Sequence, residues 1–254
     1  MQVKALGPDQ VFILGSPRSG TSALLHALKT VFGLQGKEEG QTLPVFTGIL
    51  QIFHGHSARF KGQPYLLASC LDTDHFRRHI LEYIRILYRD AHAGAGFVDK
   101  TPGAEAIVTA GLIKEAFPAS RILMLRRNGI DYARSFSKKF NVDIEAAARS
   151  WVICMRALEI ARETCGDFLE IDHSELLHDR ENTSGLIADY LGHPERREAL
   201  ATRLARTHIE VTSVSEAGCR ERSSRLSDVP WDESEKRQFR NICGPFMEKF
   251  GYEL

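Results

Sequence analysis

The sequence has no excess of charge of either sign: 33 Lys and Arg stand against 33 Asp and Glu. A chain without a net basic field is a poor candidate for non-specific binding to nucleic acid or to an anionic membrane surface. Cysteine is sparse. The five present (Cys70, Cys154, Cys165, Cys219 and Cys243) are odd in number and no two share CxxC spacing. That speaks against a disulfide framework and against a zinc site of the usual spacing. No apolar run approaches the roughly 18 residues of a membrane span, and residues 1–10 contain no apolar stretch of signal-peptide length. Repeats, low-complexity tracts and Pro/Gly-rich linkers are missing too. The expectation is a cytoplasmic protein with neither nucleic acid nor membrane as partner, folded as one domain over residues 1–254. Hydrophobic residues at 43% suffice for a packed core, so wholesale disorder is excluded.

What is there alternates between two periodicities. Val11–Leu14 is a short apolar run that reads as a buried strand, and Thr21–Phe32 follows as a helix with Leu24, Leu25, Leu28 and Phe32 on one side. Residues 42–72 give no clear pattern. Asp74 reads as the N-cap of a helix reaching about His92. Further strands are read at Gly96–Val98, Arg121–Leu125 and Phe168–Ile171. Helices are read at 104–116, 129–138, 143–165, 181–191, 194–206 and 232–250. Strands alternating with helices imply an α/β fold, P-loop-like and three-layered, with a central parallel sheet flanked by helices and a helical C-terminal part.

The most specific feature lies between the first strand and the first helix: Gly15-Ser16-Pro17-Arg18-Ser19-Gly20-Thr21-Ser22. Gly15, Gly20 and Ser22 fit the phosphate-loop spacing GxxxxGK[ST], but Thr21 stands in the lysine position. Small residues, successive backbone N–H groups and a helix N-terminus still make an anion cradle, to which Arg18 adds a positive charge. The missing lysine argues against nucleotide hydrolysis with the usual lysine and metal apparatus.

This loop resembles the 5′-phosphosulfate loop of the sulfotransferases, particularly those with Pro-Arg-Ser-Gly-Thr. These enzymes use 3′-phosphoadenosine 5′-phosphosulfate (PAPS) and release adenosine 3′,5′-bisphosphate. The resemblance implies that Ser16, Pro17, Arg18, Ser19, Gly20, Thr21 and Ser22 hold the cofactor. It also implies a 3′-phosphate site made by an Arg at a strand end and a Ser eight residues on, a spacing met by Arg127 and Ser135. Arg126 is the rival to Arg127. No metal is implied.

Sulfuryl transfer needs a base for the acceptor and cations for the transferring group and the leaving phosphate. The Lys-Thr-His segment of small-molecule sulfotransferases is here Lys100-Thr101-Pro102, so the histidine base is missing. The tyrosylprotein and heparan-type enzymes place a glutamate just past the first helix. By that resemblance Glu39 is the expected base, with Glu38 as runner-up and His54 and His56 as further alternatives. Lys100 and Arg18 are assigned to the leaving-group side. The segment Gly218–Val229, with Arg220, Arg222 and Arg225, reads as a lid or an exposed loop. The acceptor, a small molecule, a carbohydrate or a peptide, is left open, as is the oligomeric state. Two other readings compete: a small-molecule P-loop kinase, which a magnesium requirement would favour, and a non-catalytic nucleotide-binding module, in which Glu39 would be dispensable.

Overall fold

The computed structural model describes residues 10–206 and 225–254. Its centre is a sheet of four parallel strands, β1 (Gln10–Gly15), β2 (Phe97–Pro102), β3 (Arg121–Arg126) and β4 (Leu169–Asp172), in the order β2-β1-β3-β4. Alternate residues of each strand point to opposite faces. Val11, Ile13, Val98, Leu123 and Leu125 pack under α1 (Thr21–Phe32), α8 (His173–His178), α9 (Arg180–Tyr190) and α10 (Arg197–Arg206). Phe12, Leu14, Phe97, Ile122 and Met124 face the second layer: α3 (Thr73–Ala91), α4 (Ala104–Ile107), α5 (Ala110–Ala116), α6 (Gly129–Phe140), α7 (Ile144–Thr164) and α11 (Glu233–Lys249). Burial on both faces is why the strands read as continuous apolar runs. Trp151 is fully buried in the second layer. Truncating such a side chain costs about 3–5 kcal/mol.

Several sequence boundaries shift. The helix read at 104–116 is two, α4 and α5, because the Thr109 hydroxyl donates to the Ala106 carbonyl (2.6 Å) and competes with the helical ladder. The strand read at 96–98 runs on to Pro102, so Asp99, Lys100 and Thr101 are strand residues rather than a loop. The N-cap of α3 is Asp72, not Asp74: its carboxylate accepts from the N–H groups of Asp74 (3.0 Å) and His75 (2.9 Å). The unparsed stretch contains α2 (Leu43–Phe60), which buries only Leu43 and Phe46 and carries Pro44, Gly48 and Gly55. Of the proposed lid, residues 218–224 lie outside the described residues. Arg225 is exposed, while Leu226 and Val229 are buried.

The strand order fixes where a ligand can enter. From β1 the chain leaves toward β2 on one side, and from β3 toward β4 on the other. The carboxyl ends of β1 and β3 are therefore a topological switch point, the place where open α/β sheets leave a crevice. The loop after β1 and the loop after β3 meet there.

Candidate active site

Gly15 ends β1 at φ 143° and packs against β3 so closely that a Cβ would overlap the Leu125 carbonyl. The loop then folds on itself. The Ser16 N–H donates to Leu125 O (3.0 Å), the buried Ser16 and Ser19 hydroxyls pair at 2.5 Å, and Gly20 takes φ 87° as the N-cap of α1. No side chain caps α1, so the N–H groups of its first turn face the crevice end of the sheet with the positive end of the helix dipole. Arg18 itself has φ 64°. A left-handed non-glycine residue is strained, and such strain clusters at ligand-binding sites.

Two clusters of charge flank this loop. On one side the Arg18 Nε donates to the Ser135 hydroxyl (3.0 Å), and Arg127 donates to the Arg18 carbonyl (2.5 Å). Arg127 is buried, and its own carbonyl accepts from the Trp151 indole N–H (2.9 Å), which ties the loop after β3 into the second layer. Asn128 caps α6 by accepting from Ile130 N–H (2.8 Å), which turns Ser135 back to the loop. Arg126 goes elsewhere. It pairs with Glu170 and Asp172 at 3.7 Å, donates to the Phe250 carbonyl, and lies over the Tyr252 ring. Of the two rival arginines, Arg127 stands beside the phosphate loop.

On the other side Lys100, buried on β2, donates to the Ser22 hydroxyl (3.1 Å) and to Glu39 Oε1 (3.3 Å). It does not pair with Asp99, because neighbouring strand residues point to opposite faces. Asp99 lies in the second layer, accepting from Tyr88 (2.5 Å) and Thr101 (2.9 Å). Thr101 in turn accepts from the Gln41 N–H (3.1 Å), and the Gln41 side chain donates to Glu39 Oε2 (2.9 Å). The Glu39 carboxylate is thus held by a relay from the sheet, while its side chain stays 47% exposed. The hydrogen bond from Gln41 and the nearby Lys100 hold it below the usual carboxylate range, against a smaller opposing effect of burial. Glu38 turns away to His26 (3.5 Å). His54 lines a separate cavity of about 480 Å³ between α2 and α5, and His56 packs edge-on to Phe60.

The structure therefore joins Glu39, Lys100 and Ser22 in one group and Arg18, Arg127 and Ser135 in another, with the loop between. Sequence reasoning missed His173. It is 5% exposed, begins α8 just past the end of β4, and would touch a Cβ at Gly20. Burial, reinforced by Arg127, His178 and Arg18, pushes its imidazole down to about 2, so it is neutral at ordinary pH. Its place at a strand end is the signal that could have found it. Among the described residues no three His, Cys, Asp or Glu side chains converge as a metal site would, and no helix is long and apolar enough to cross a membrane.

Solved structures share this fold. The sulfotransferase domain of the Synechococcus PCC 7002 olefin synthase is 17% identical, with a TM-score of 0.54, covering 100% of this chain and 98% of that one. The sulfotransferase domain from the curacin biosynthetic pathway is also 17% identical (TM-score 0.53; 98% and 100% covered). Sulfotransferase STF9 from Mycobacterium avium is 15% identical (TM-score 0.50; 98% and 78% covered). No curated protein matches significantly. The sequence model of the sulfotransferase family matches residues 8–197, which take in the phosphate loop, Glu39, Lys100 and the Arg127–Ser135 segment, and the chain belongs to that family.

Proposed function

We propose that this protein transfers a sulfuryl group from PAPS to an acceptor hydroxyl or amine, with Glu39 as general base. The observation that carries the reading is the contact of the two loops at the switch point: Arg127 on the Arg18 carbonyl and Arg18 on Ser135. A nucleotide with phosphates at both its 3′ and 5′ positions needs two adjoining anion sites. The α1 N-terminus with its loop makes one, and Arg127 with Ser135 makes the other. The glycines fit the reading as well: Gly15 and Gly20 hold φ values of 143° and 87°, which let the loop turn tightly between β1 and α1 with its back against Leu125, Leu176 and His173.

When bound, PAPS supplies the sulfuryl group, its S–O bond to the 5′-phosphate breaking as the acceptor oxygen bonds to sulfur, with the electron pair leaving on the bridging oxygen. The chain's own groups do the rest. Glu39, ionised because of Gln41 and Lys100, takes the acceptor proton at its carboxylate. Lys100 and Ser22, at the loop's inner side, present positive charge and a hydroxyl to the bridging oxygen. The Arg18 guanidinium sits on Ser135, so it serves the 3′-phosphate side as well as the loop.

Calorimetry with adenosine 3′,5′-bisphosphate, followed by incubation with PAPS and an acceptor panel, tests the reading. Tight bisphosphate binding and an acceptor mass gain of about 80 Da, the mass of the transferred SO3, are expected. ATP binding without bisphosphate affinity would overturn it.

A further inference from the structure

A cavity of about 570 Å³ opens along the outer edge of β2, between residues 34–42 and the C-terminal half of α3. Glu39 stands in its wall, so the residue that pairs with Lys100 also borders this space. The volume suits a drug-sized organic body, and cavities of this kind that gather shifted titratable groups are where ligands bind. Four such groups line it: Glu39, Tyr88, His92 and Asp99.

The lining also says what can enter. Leu34, Leu87, Tyr88, Ala91 and Val98 supply apolar surface. Several polar groups of the wall are already engaged: Asp99 accepts from Tyr88 and Thr101, Lys29 donates to the Gly36 carbonyl (2.8 Å), and Thr42 donates to the Gly40 carbonyl (2.8 Å). A sugar would surrender its hydrogen bonds to water and find few in exchange, which costs about 1–3 kcal/mol per unsatisfied group. A peptide backbone would meet the same deficit. An apolar body loses nothing and gains by leaving water. Acidic and basic residues share the wall (Glu39 and Asp99 against Lys29 and Lys37), so no single charge is selected.

We propose that this cavity is the acceptor site, and that the acceptor is a hydrophobic alcohol or phenol whose hydroxyl lies at Glu39 while its aliphatic or aromatic body runs along α3 toward His92. The proposal rests on the sulfuryl-transfer reading above. Atoms balance as there: the hydroxyl proton goes to Glu39, the oxygen gains SO3, and the product is the apolar sulfate ester.

The test has two arms. Bisphosphate-loaded protein is titrated with 2-naphthol, and PAPS turnover is compared across aryl and long-chain alcohols, simple sugars and tyrosyl peptides. The substitution Ala91→Trp, at an exposed position, fills the cavity. We expect 2-naphthol to bind, apolar alcohols to exceed sugars and peptides at least tenfold in kcat/KM, and Ala91→Trp to weaken naphthol binding at least tenfold with bisphosphate affinity unchanged. Bisphosphate binding without naphthol binding overturns the proposal, as does a preference for sugars or peptides, or naphthol binding indifferent to Ala91→Trp. Loss of bisphosphate binding in the unsubstituted protein would instead sink the sulfotransfer reading itself.

Discussion

The Arg18 guanidinium donates to the Ser135 hydroxyl at 3.0 Å, joining the loop after β1 to the helix after β3 across 117 residues of sequence. Because the loop's carbonyl at Arg18 also receives Arg127, the two anion sites share one wall. Arg18→Ala should therefore weaken bisphosphate binding about 10- to 100-fold, the loss of one charge-assisted contact and its partner's orientation. Ser135→Ala should cost less, about 3- to 10-fold, because it removes one hydroxyl and leaves the guanidinium charge in place. The double variant should be weaker than wild type by less than the product of the two, because the residues act through each other. Calorimetry on the four proteins gives the coupling directly.

Glu39→Gln should leave bisphosphate affinity within about twofold and lower kcat about 10²- to 10⁴-fold, the usual range for a lost general base. Gln41 and Lys100 favour the ionised carboxylate, so the acid limb of the kcat/KM profile should fall below 4.5, the ordinary glutamate value. Removing the strongest of these supports with Gln41→Ala should move that limb upward. An unchanged acid limb in Gln41→Ala would assign it to a group other than Glu39.

The layers were legible from sequence because periodicity reports burial. β1 and β3 are buried on both faces and read as apolar runs, and α7 carries its stripe around Trp151. The phosphate loop was legible because its glycines answer a local backbone demand. Less could be read where a long-range contact decides. Lys100 could be assigned to the leaving-group side by resemblance, but its partners could not be read: only the pleat of β2 sends Lys100 to Glu39 and Asp99 to Tyr88. α2 was unreadable because it buries two residues and relies on partners such as Phe76, stacked on Phe53 at 3.7 Å between ring centres. His173 owes its place at the loop to the arrival of β4 beside β3, which no local pattern announces.

Buried neutral His173 should make stability depend on pH. Its folded pKa is pushed down to about 2, from 6.5 in a solvated chain. Between those values the unfolded chain binds a proton that the folded protein refuses, so stability rises with pH up to about 6.5 and this group then contributes no slope. The slope is about 1.4 kcal/mol per pH unit for one proton. Urea midpoints measured between pH 5 and 8 should fall on the acid side in wild type and fall less steeply in His173→Gln. Parallel profiles for the two proteins would show that His173 titrates alike in both states.

Gly15 and Gly20 should differ in what an added methyl costs. Both have φ values that L residues rarely adopt, 143° and 87°. At Gly15 the new Cβ would overlap the backbone carbonyl of Leu125, and that carbonyl is held by the Ser16 N–H. Backbone in the sheet centre cannot yield without breaking the β1–β3 ladder. At Gly20 the nearest atoms are side-chain ends, Leu176 Cδ1 at 3.3 Å and His173 Cδ2 at 3.4 Å, which can give by a rotamer adjustment. Gly20→Ala should thus cost about 1–2 kcal/mol, the conformational strain alone. Gly15→Ala should exceed about 3 kcal/mol, in the class of overpacking compounded by a lost ladder bond. Thermal unfolding of the two variants ranks them, and the order should hold with bisphosphate present, since the Gly15 clash lies within the sheet itself.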